Sequence, residues 1–330
     1  MDTRTSKPRC VRFRVGLAEG LPARWKVAAY LYLPQGEPSS TIQVLVPGLT
    51  YDHRYWTVPG RYDYTRHMVA AGYAVLALDR IGTGGSSRPP AAEVTTDAHA
   101  YVLHQVIQAL RAGHDGVPAF STVIVAGHSY GSGVAIVEAA RCADIDGLIV
   151  SGMLHVTSGL HDRARSFFHH AADDPVLGRL GIDWPEFYMT QRPGFRARML
   201  EHSADMDIDI SWYNEAIKST ATIGEGDTLP QTYDSRYSRA ITAPVLIVAG
   251  EHDALFAGEG VHLAPESAAV REFEKDFYAP GADLEVHMIP RAGHSLNVHE
   301  SAAAWFAIAL AWVRRVAPAR SPAPAPASSA

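Results

Sequence analysis

One stretch constrains this chain more than any other: Ser121-Thr-Val-Ile-Val-Ala-Gly127-His128-Ser129-Tyr130-Gly131-Ser132-Gly133. An apolar, β-branched run (Val123 to Val125) meets a Gly-x-Ser-x-Gly turn, and a helix-compatible segment, Val134 to Ala143, follows. A serine hydroxyl is a poor nucleophile until it is held clear of the backbone and given a base. A strand that ends in a sharp turn does the first of these. Glycines two before and two after Ser129 leave out the Cβ atoms that would crowd such a turn. The pentapeptide alone recurs by chance; the flanking strand and helix make it informative here.

Composition narrows the classes. The chain has 330 residues, of which 47% are hydrophobic and 19% charged, an ordinary balance for a globular protein. Its formal net charge of -6 and the absence of a basic stripe interleaved with aromatics argue against nucleic-acid binding. Two cysteines, Cys10 and Cys142, cannot make a disulfide framework and are expected as buried thiols. Met1 to Arg9 is polar, without the apolar core of a secretory signal. No run of about 18 apolar residues is present, so no membrane span is expected. A cytoplasmic enzyme is the expectation.

Read in order, the chain alternates. Val11 to Leu17 and Val27 to Leu33 predict an antiparallel edge pair. Ile42 to Val46, Tyr73 to Leu78, Gly147 to Val150, Val245 to Ala249 and Leu284 to Ile289 predict further strands. Helices are expected over Tyr64 to Ala71, Thr95 to Ala112, about Pro265 to Tyr278 and about Val298 to Val316. Near-continuous apolar strands alternating with helices imply an α/β fold, a parallel sheet covered on both faces.

One block breaks the alternation. From Met153 to about Arg239 no buried strand is evident, and aromatics and histidines accumulate. A structureless loop of that length is improbable in a compact domain. The block 153–239 therefore predicts a mainly helical insertion, a lid over the core formed by 1–152 and 240–316. Phe167, Trp184, Tyr188 and Trp212 are its candidate substrate contacts, with packing inside the lid as the plainer role for each. The stretch 317–330 contains only Ala, Arg, Pro and Ser and predicts a disordered tail.

A serine nucleophile needs a base, an orienting acid and an oxyanion hole. Ligands on an open parallel sheet bind beyond the carboxyl ends of its strands. His294, in Gly293-His294-Ser295 after the last strand, occupies such an end; His53 and His252 are weaker candidates. His128 adjoins the serine, and neighbours at a sharp turn point apart, so it reads as structural. Asp253, just beyond Val245 to Ala249, is the candidate acid, with Glu251 as competitor and a turn-capping role as the plain alternative. The order Ser129, Asp253, His294 fits Ser…Asp…His. Backbone N–H groups of Tyr130 and Leu49 are the candidate oxyanion donors, and Thr50, Tyr51 and His53 candidate pocket residues. His169-His170 has no third ligand at metal spacing, so neither a metal nor a cofactor is expected.

Four stretches then coincide: Gly127-His-Ser-Tyr-Gly131, Asp79-Arg-Ile-Gly-Thr-Gly-Gly-Ser86, Gly250-Glu-His-Asp253 and Gly293-His294. In these the chain resembles the α/β-hydrolase superfamily over roughly Val11 to Val316. The resemblance implies a mostly parallel eight-stranded sheet, a lid inserted after the sixth strand, and a serine esterase. Pro47-Gly48 stands where many relatives have His-Gly, a change that preserves the backbone donor. The expected reaction is hydrolysis of a hydrophobic small-molecule ester or lactone through an acyl-enzyme on Ser129. A thioesterase, an acyl-transferring cyclase and a ligand-binding receptor on the same fold are the alternatives. Apolar lid surface is compatible with a homodimer and equally with closure over the pocket.

Overall fold

The computed structural model describes residues 8–35 and 40–318. Its first elements are strands β1 (Arg9–Val15), β2 (Trp25–Tyr32) and β3 (Thr41–Val46), helix α1 (Tyr64–Ala70), and strand β4 (Ala74–Leu78). Helix α2 (Thr96–Ala112), strand β5 (Thr122–His128), helix α3 (Tyr130–Cys142) and strand β6 (Gly147–Ser151) follow. An insertion then holds α4 (Gly159–Arg163), β7 (Phe168–His170), β8 (Tyr188–Gln191), α5 (Phe195–Leu200) and α6 (Ile208–Ala216). It continues with β9 (Ala221–Thr222), α7 (Ile223–Thr228) and α8 (Ser235–Ala240). The chain ends with β10 (Val245–Gly250), α9 (Ser267–Glu274), β11 (Leu284–Ile289) and α10 (Ala302–Val316).

Eight strands form one sheet in the order β1-β2-β4-β3-β5-β6-β10-β11. β1 and β2 pair antiparallel from Arg9↔Leu31 to Val15↔Trp25, and β2 also runs antiparallel to β4. Every later pairing in this sheet is parallel. Burial explains the sequence pattern: β1 alternates outward Arg12 and Arg14 with buried Val11, Phe13 and Val15, whereas all residues of β3, β4 and β6 are buried. On α2, Val102, Leu103, Val106, Ile107 and Leu110 recur at helical spacing and are buried, while the Thr95 hydroxyl caps the helix by accepting from the Ala98 amide. Helix α3 begins at Tyr130, ahead of the apolar run from Val134 that marks it in the sequence.

The insertion holds the expected helices together with a small sheet that the sequence pattern does not predict. Its helices are short, and β7, β8 and β9 form a separate three-stranded antiparallel sheet. Strands of two to four residues leave no period long enough to detect in the sequence. A small core of Ala91, Ala171, Leu177, Trp184 and Tyr188 packs with this insertion. Lys218 is fully buried and donates to Asp174 at 2.9 Å and to the Gln191 carbonyl at 3.2 Å.

Of the segment 317–330, Ala319 to Ala330 lies outside the described residues; Ala317 is buried, and its carbonyl accepts from the Tyr73 hydroxyl at 3.1 Å. Cys10 is exposed and Cys142 only half-buried, because β1 is the sheet's edge strand and Cys142 ends α3. No helix among the described residues is long and apolar enough to cross a membrane.

Between α2 and α3, Glu138 is fully buried with His104 Nδ1 3.8 Å away. Burial, reinforced by the neighbouring Asp144 carboxylate, pushes the Glu138 carboxyl up to about 10. It is therefore protonated in the folded chain at neutral pH and ionised in the unfolded one. Its contribution to stability is complete below the ordinary glutamate value and is lost as pH rises towards about 10. Glu138→Gln keeps the neutral shape and removes the titrating proton. Thermal unfolding followed from pH 5 to 10 is expected to show a flatter alkaline decline in the variant, with unchanged far-ultraviolet circular dichroism.

Candidate active site

Ser129 occupies the single residue between β5 and α3, with φ 53° and ψ −122°. A non-glycine residue held there carries strain of about 1–3 kcal/mol, which the surrounding structure must over-determine. The restraints are visible. The Ser129 amide donates to the Ser151 carbonyl at 2.8 Å, and its own carbonyl accepts from the Ser132 amide at 2.8 Å. A Cβ on Gly127 would lie 2.4 Å from Ser132 Cα, and one on Gly131 would lie 2.2 Å from the Val46 carbonyl oxygen. Only glycine permits the strand and helix to approach this closely.

Asp253 follows β10 and is fully buried. Its Oδ1 accepts from the Leu255 amide at 2.9 Å and the Phe256 amide at 3.3 Å. Its Oδ2 lies 2.9 Å from Nδ1 of His294, which follows β11. A carboxylate only accepts, so Nδ1–H donates and Nε2 keeps its lone pair. Phe256 stacks beside the His294 ring at 5.7 Å between centroids. The rival Glu251 instead accepts from the Arg291 amide at 3.3 Å.

The other histidines at strand ends are engaged elsewhere. His53 Nδ1 lies 2.6 Å from Asp79 Oδ1, and its ring stacks on Tyr30 at 3.6 Å. His252 stacks on His202 at 4.0 Å. His128 is fully buried, stacked on Tyr55 at 4.1 Å and 5.0 Å from the His294 ring. Burial, helped by the nearby His294 and the Arg196 cation, holds His128 well below the usual imidazole range, so its ring is neutral.

Across from the serine, β3 runs into Pro47-Gly48-Leu49-Thr50. Thr50 has φ 59°, and a Cβ on Gly48 would stand 3.0 Å from Ser129 Cβ and 3.1 Å from the His128 ring. The loop therefore passes directly over the elbow. Among the described residues the Leu49 and Tyr130 amides donate to no acceptor. Both are left free to receive an oxygen from a bound molecule.

A cavity of about 430 Å³ opens at this point. Leu49, Tyr51, His128, Ser129, Tyr130 and His294 line it, together with Leu255 and Phe256. The insertion adds Phe168, Phe187, Met189, Met199, Leu200 and Tyr233, and also a polar group, His161, Asp162 and Arg165. Of Thr50, Tyr51, His53, Phe167, Trp184, Tyr188 and Trp212, the candidate pocket residues, Tyr51 alone lines it. Its hydroxyl is bound to Asn214 Oδ1 at 2.6 Å and Ser295 Oγ at 2.8 Å, with the Arg196 guanidinium 4.2 Å over its ring.

The remaining candidates face elsewhere. Thr50 is buried, with its hydroxyl on the Leu49 carbonyl and Gln191. Phe167 stacks on Phe195, Trp184 belongs to the insertion's own core, and the Tyr188 hydroxyl donates to the Pro89 carbonyl at 2.7 Å. Trp212 is 70% exposed. In three places the cavity takes an adjacent residue instead: Phe168 beside Phe167, and Phe187 and Met189 on either side of Tyr188. A two-residue alternation within 187–191 was the only available signal.

Among the described residues, two clusters bring three possible metal ligands together: His104, Glu138 and Cys142, and Asp52, His53 and Asp79. Neither lines the cavity. The first holds a protonated carboxyl, and in the second Asp79 is already bound by the His53 and Gly85 amides.

A family model described as "Alpha/beta hydrolase family" matches residues 43–310. No curated protein matches the sequence. Among solved structures, a thermophilic esterase from Thermogutta terrifontis superimposes with a TM-score of 0.61 at 19% identity, covering 93% of this chain and 99% of that one. A soluble variant of monoglyceride lipase from Saccharomyces cerevisiae gives 0.66 at 16% identity, over 97% and 99% of the two chains. A monoacylglycerol lipase from Paleococcus ferrophilus gives 0.60 at 18% identity, over 88% and 98%. The family match spans well over half of the sequence and these structures share its fold, so the chain belongs to the alpha/beta hydrolase family.

Proposed function

We propose that the protein is a serine hydrolase that cleaves an ester of a hydrophobic small molecule. The observation that carries this reading is that His294, held by the buried Asp253, lines the same cavity as Ser129, whose backbone is held at positive φ. His294 Nε2 takes the hydroxyl proton as Ser129 Oγ attacks the substrate carbonyl carbon. Asp253 holds the tautomer and stabilises the imidazolium that results. The Leu49 and Tyr130 amides receive the oxyanion. Collapse expels the alcohol, which takes the proton back from His294, and leaves an acyl-serine. Water, deprotonated by the same histidine, then releases the acid and restores the hydroxyl.

The segment 153–239 acts in this reading as the lid on a core of residues 1–152 and 240–316. The cavity is towards the lower end of the roughly 300–1,000 Å³ usual for small-molecule sites and is lined mainly by apolar side chains. That favours a short or medium acyl chain, or a compact lactone, over a long lipid. Neutral His128 and the buried ring of Tyr51 add no net charge at the reacting end. A thioester meets the same residues, and the solved esterases and lipases that share the fold support ester-type chemistry in this chain.

Two expectations test the reading. Intact mass after treatment with a fluorophosphonate should show a single adduct, mapped to Ser129 and lost in Ser129→Ala, whose folding is unchanged. Turnover of a p-nitrophenyl ester series should fall by about 10⁴-fold or more in that variant and, in wild type, should peak at short to medium acyl length. A folded wild-type protein that stays unlabelled supports a ligand-binding receptor instead. Gly48→Ala should lower kcat by roughly tenfold or more with a small change in thermal midpoint, because the added Cβ displaces the oxyanion loop from Ser129.

A further inference from the structure

Arg80 comes from the Asp79-Arg-Ile-Gly-Thr-Gly-Gly-Ser86 stretch, whose sequence suggests no chemistry of its own. It is 3% exposed. Its Nε donates to the Pro47 carbonyl at 2.9 Å and its Nη2 to the Gly48 carbonyl at 3.1 Å. Its Nη1 pairs with the carboxylate of Glu225, and its guanidinium lies 5.1 Å over the Tyr130 ring. One planar cation thus touches the loop ahead of Leu49 and the residue after Ser129.

The peptide plane makes this contact directional. The Gly48 carbonyl and the Leu49 N–H belong to the same rigid trans peptide and point opposite ways. Holding the oxygen in the Arg80 fork fixes the direction of the amide that faces the elbow. Lysine has no such fork.

Glu225, in α7 of the insertion, is the counter-ion and is itself over-determined. Oε2 accepts from the Thr222 amide at 2.7 Å in a capping box, and Oε1 accepts from His99 Nε2 at 2.8 Å. Burial alone would raise this carboxyl; Arg80 and His99 outweigh burial and bring it down to about 2. The helix cannot slide freely, since a Cβ on Gly224 would lie 2.7 Å from the Ala91 and Val94 carbonyl oxygens.

We infer that Arg80 is a positioning residue for the oxyanion hole, and that Glu225 makes its geometry depend on the seating of the insertion. The inference rests on the serine-hydrolase reading above. It gives the insertion a part in the chemistry beyond covering the cavity.

The test compares wild type, Arg80→Lys and Glu225→Gln, each first checked for folding by circular dichroism and thermal midpoint. The substrate is the best p-nitrophenyl ester, and the second readout is the rate of fluorophosphonate labelling. For both variants kcat should fall about tenfold or more, with KM within about twofold and the labelling rate falling in parallel. A purely structural salt bridge predicts a lower thermal midpoint with kcat and labelling unchanged, and that result in a folded variant overturns the inference. A change confined to KM overturns it too. Glu225→Gln preserves side-chain shape and the Thr222 contact, so it decides the matter if Arg80→Lys does not fold. Wild type that resists labelling overturns the serine-hydrolase reading and this inference together. Labelled wild type with unimpaired variants overturns this inference alone.

Discussion

The structure depends on the backbone of one residue. Ser129 must sit at positive φ between a parallel strand and the helix that leaves it, a conformation that costs free energy wherever it occurs. What holds it is close packing rather than any single bond. β5 is flanked by β3 and β6, α3 lies hard against β5 at Gly127 and against the end of β3 at Gly131, and the loop after β3 closes over the top at Gly48. Each neighbour is buried, so the sheet's core energy acts on the strained turn.

Charge near the elbow is handled in the same way. The ionisable groups closest to it are either paired or neutral. Asp253 has backbone amides and His294, and Arg80 has two carbonyls and Glu225. His128 stays uncharged through burial. A buried ion pair adds little net stability once desolvation is counted, but removing one partner leaves the other stranded at a cost of about 3–5 kcal/mol. Such pairs fix geometry more than they raise stability, which is the property a preorganised site needs.

Much of the architecture was legible because buried parallel strands announce themselves. Val245 to Ala249 is a continuous apolar run and Ile42 to Val46 is broken only by Gln43, and each ends at the turn that carries Asp253 or Leu49. The insertion was harder for a physical reason. Aromatic residues in a short amphipathic segment show that something is packed, not which side faces the cavity. Tyr188 turns into the insertion's core while Met189 turns to the cavity, since successive residues of a strand face opposite ways, and Phe187 reaches the cavity from a left-handed turn at φ 63° just before β8. The same one-residue shift separates Phe167 from Phe168. Arg80 escaped notice for another reason: its partners lie 32, 33 and 145 residues away, and no local pattern encodes them.

The chamber is sewn mainly to the early part of the chain. Besides Glu225 on Arg80, Tyr188 bonds to the Pro89 carbonyl, Thr220 to that of Gly82 and Thr222 to that of Val94. Asp253 and His294 arrive afterwards, on the turns after β10 and β11. During synthesis from the N-terminus, the elbow, its overhanging loop and the insertion emerge before the residues paired to form the imidazole's environment. The last wall of the chamber, Leu255, Phe256 and His294, is therefore also the last part of it to be made.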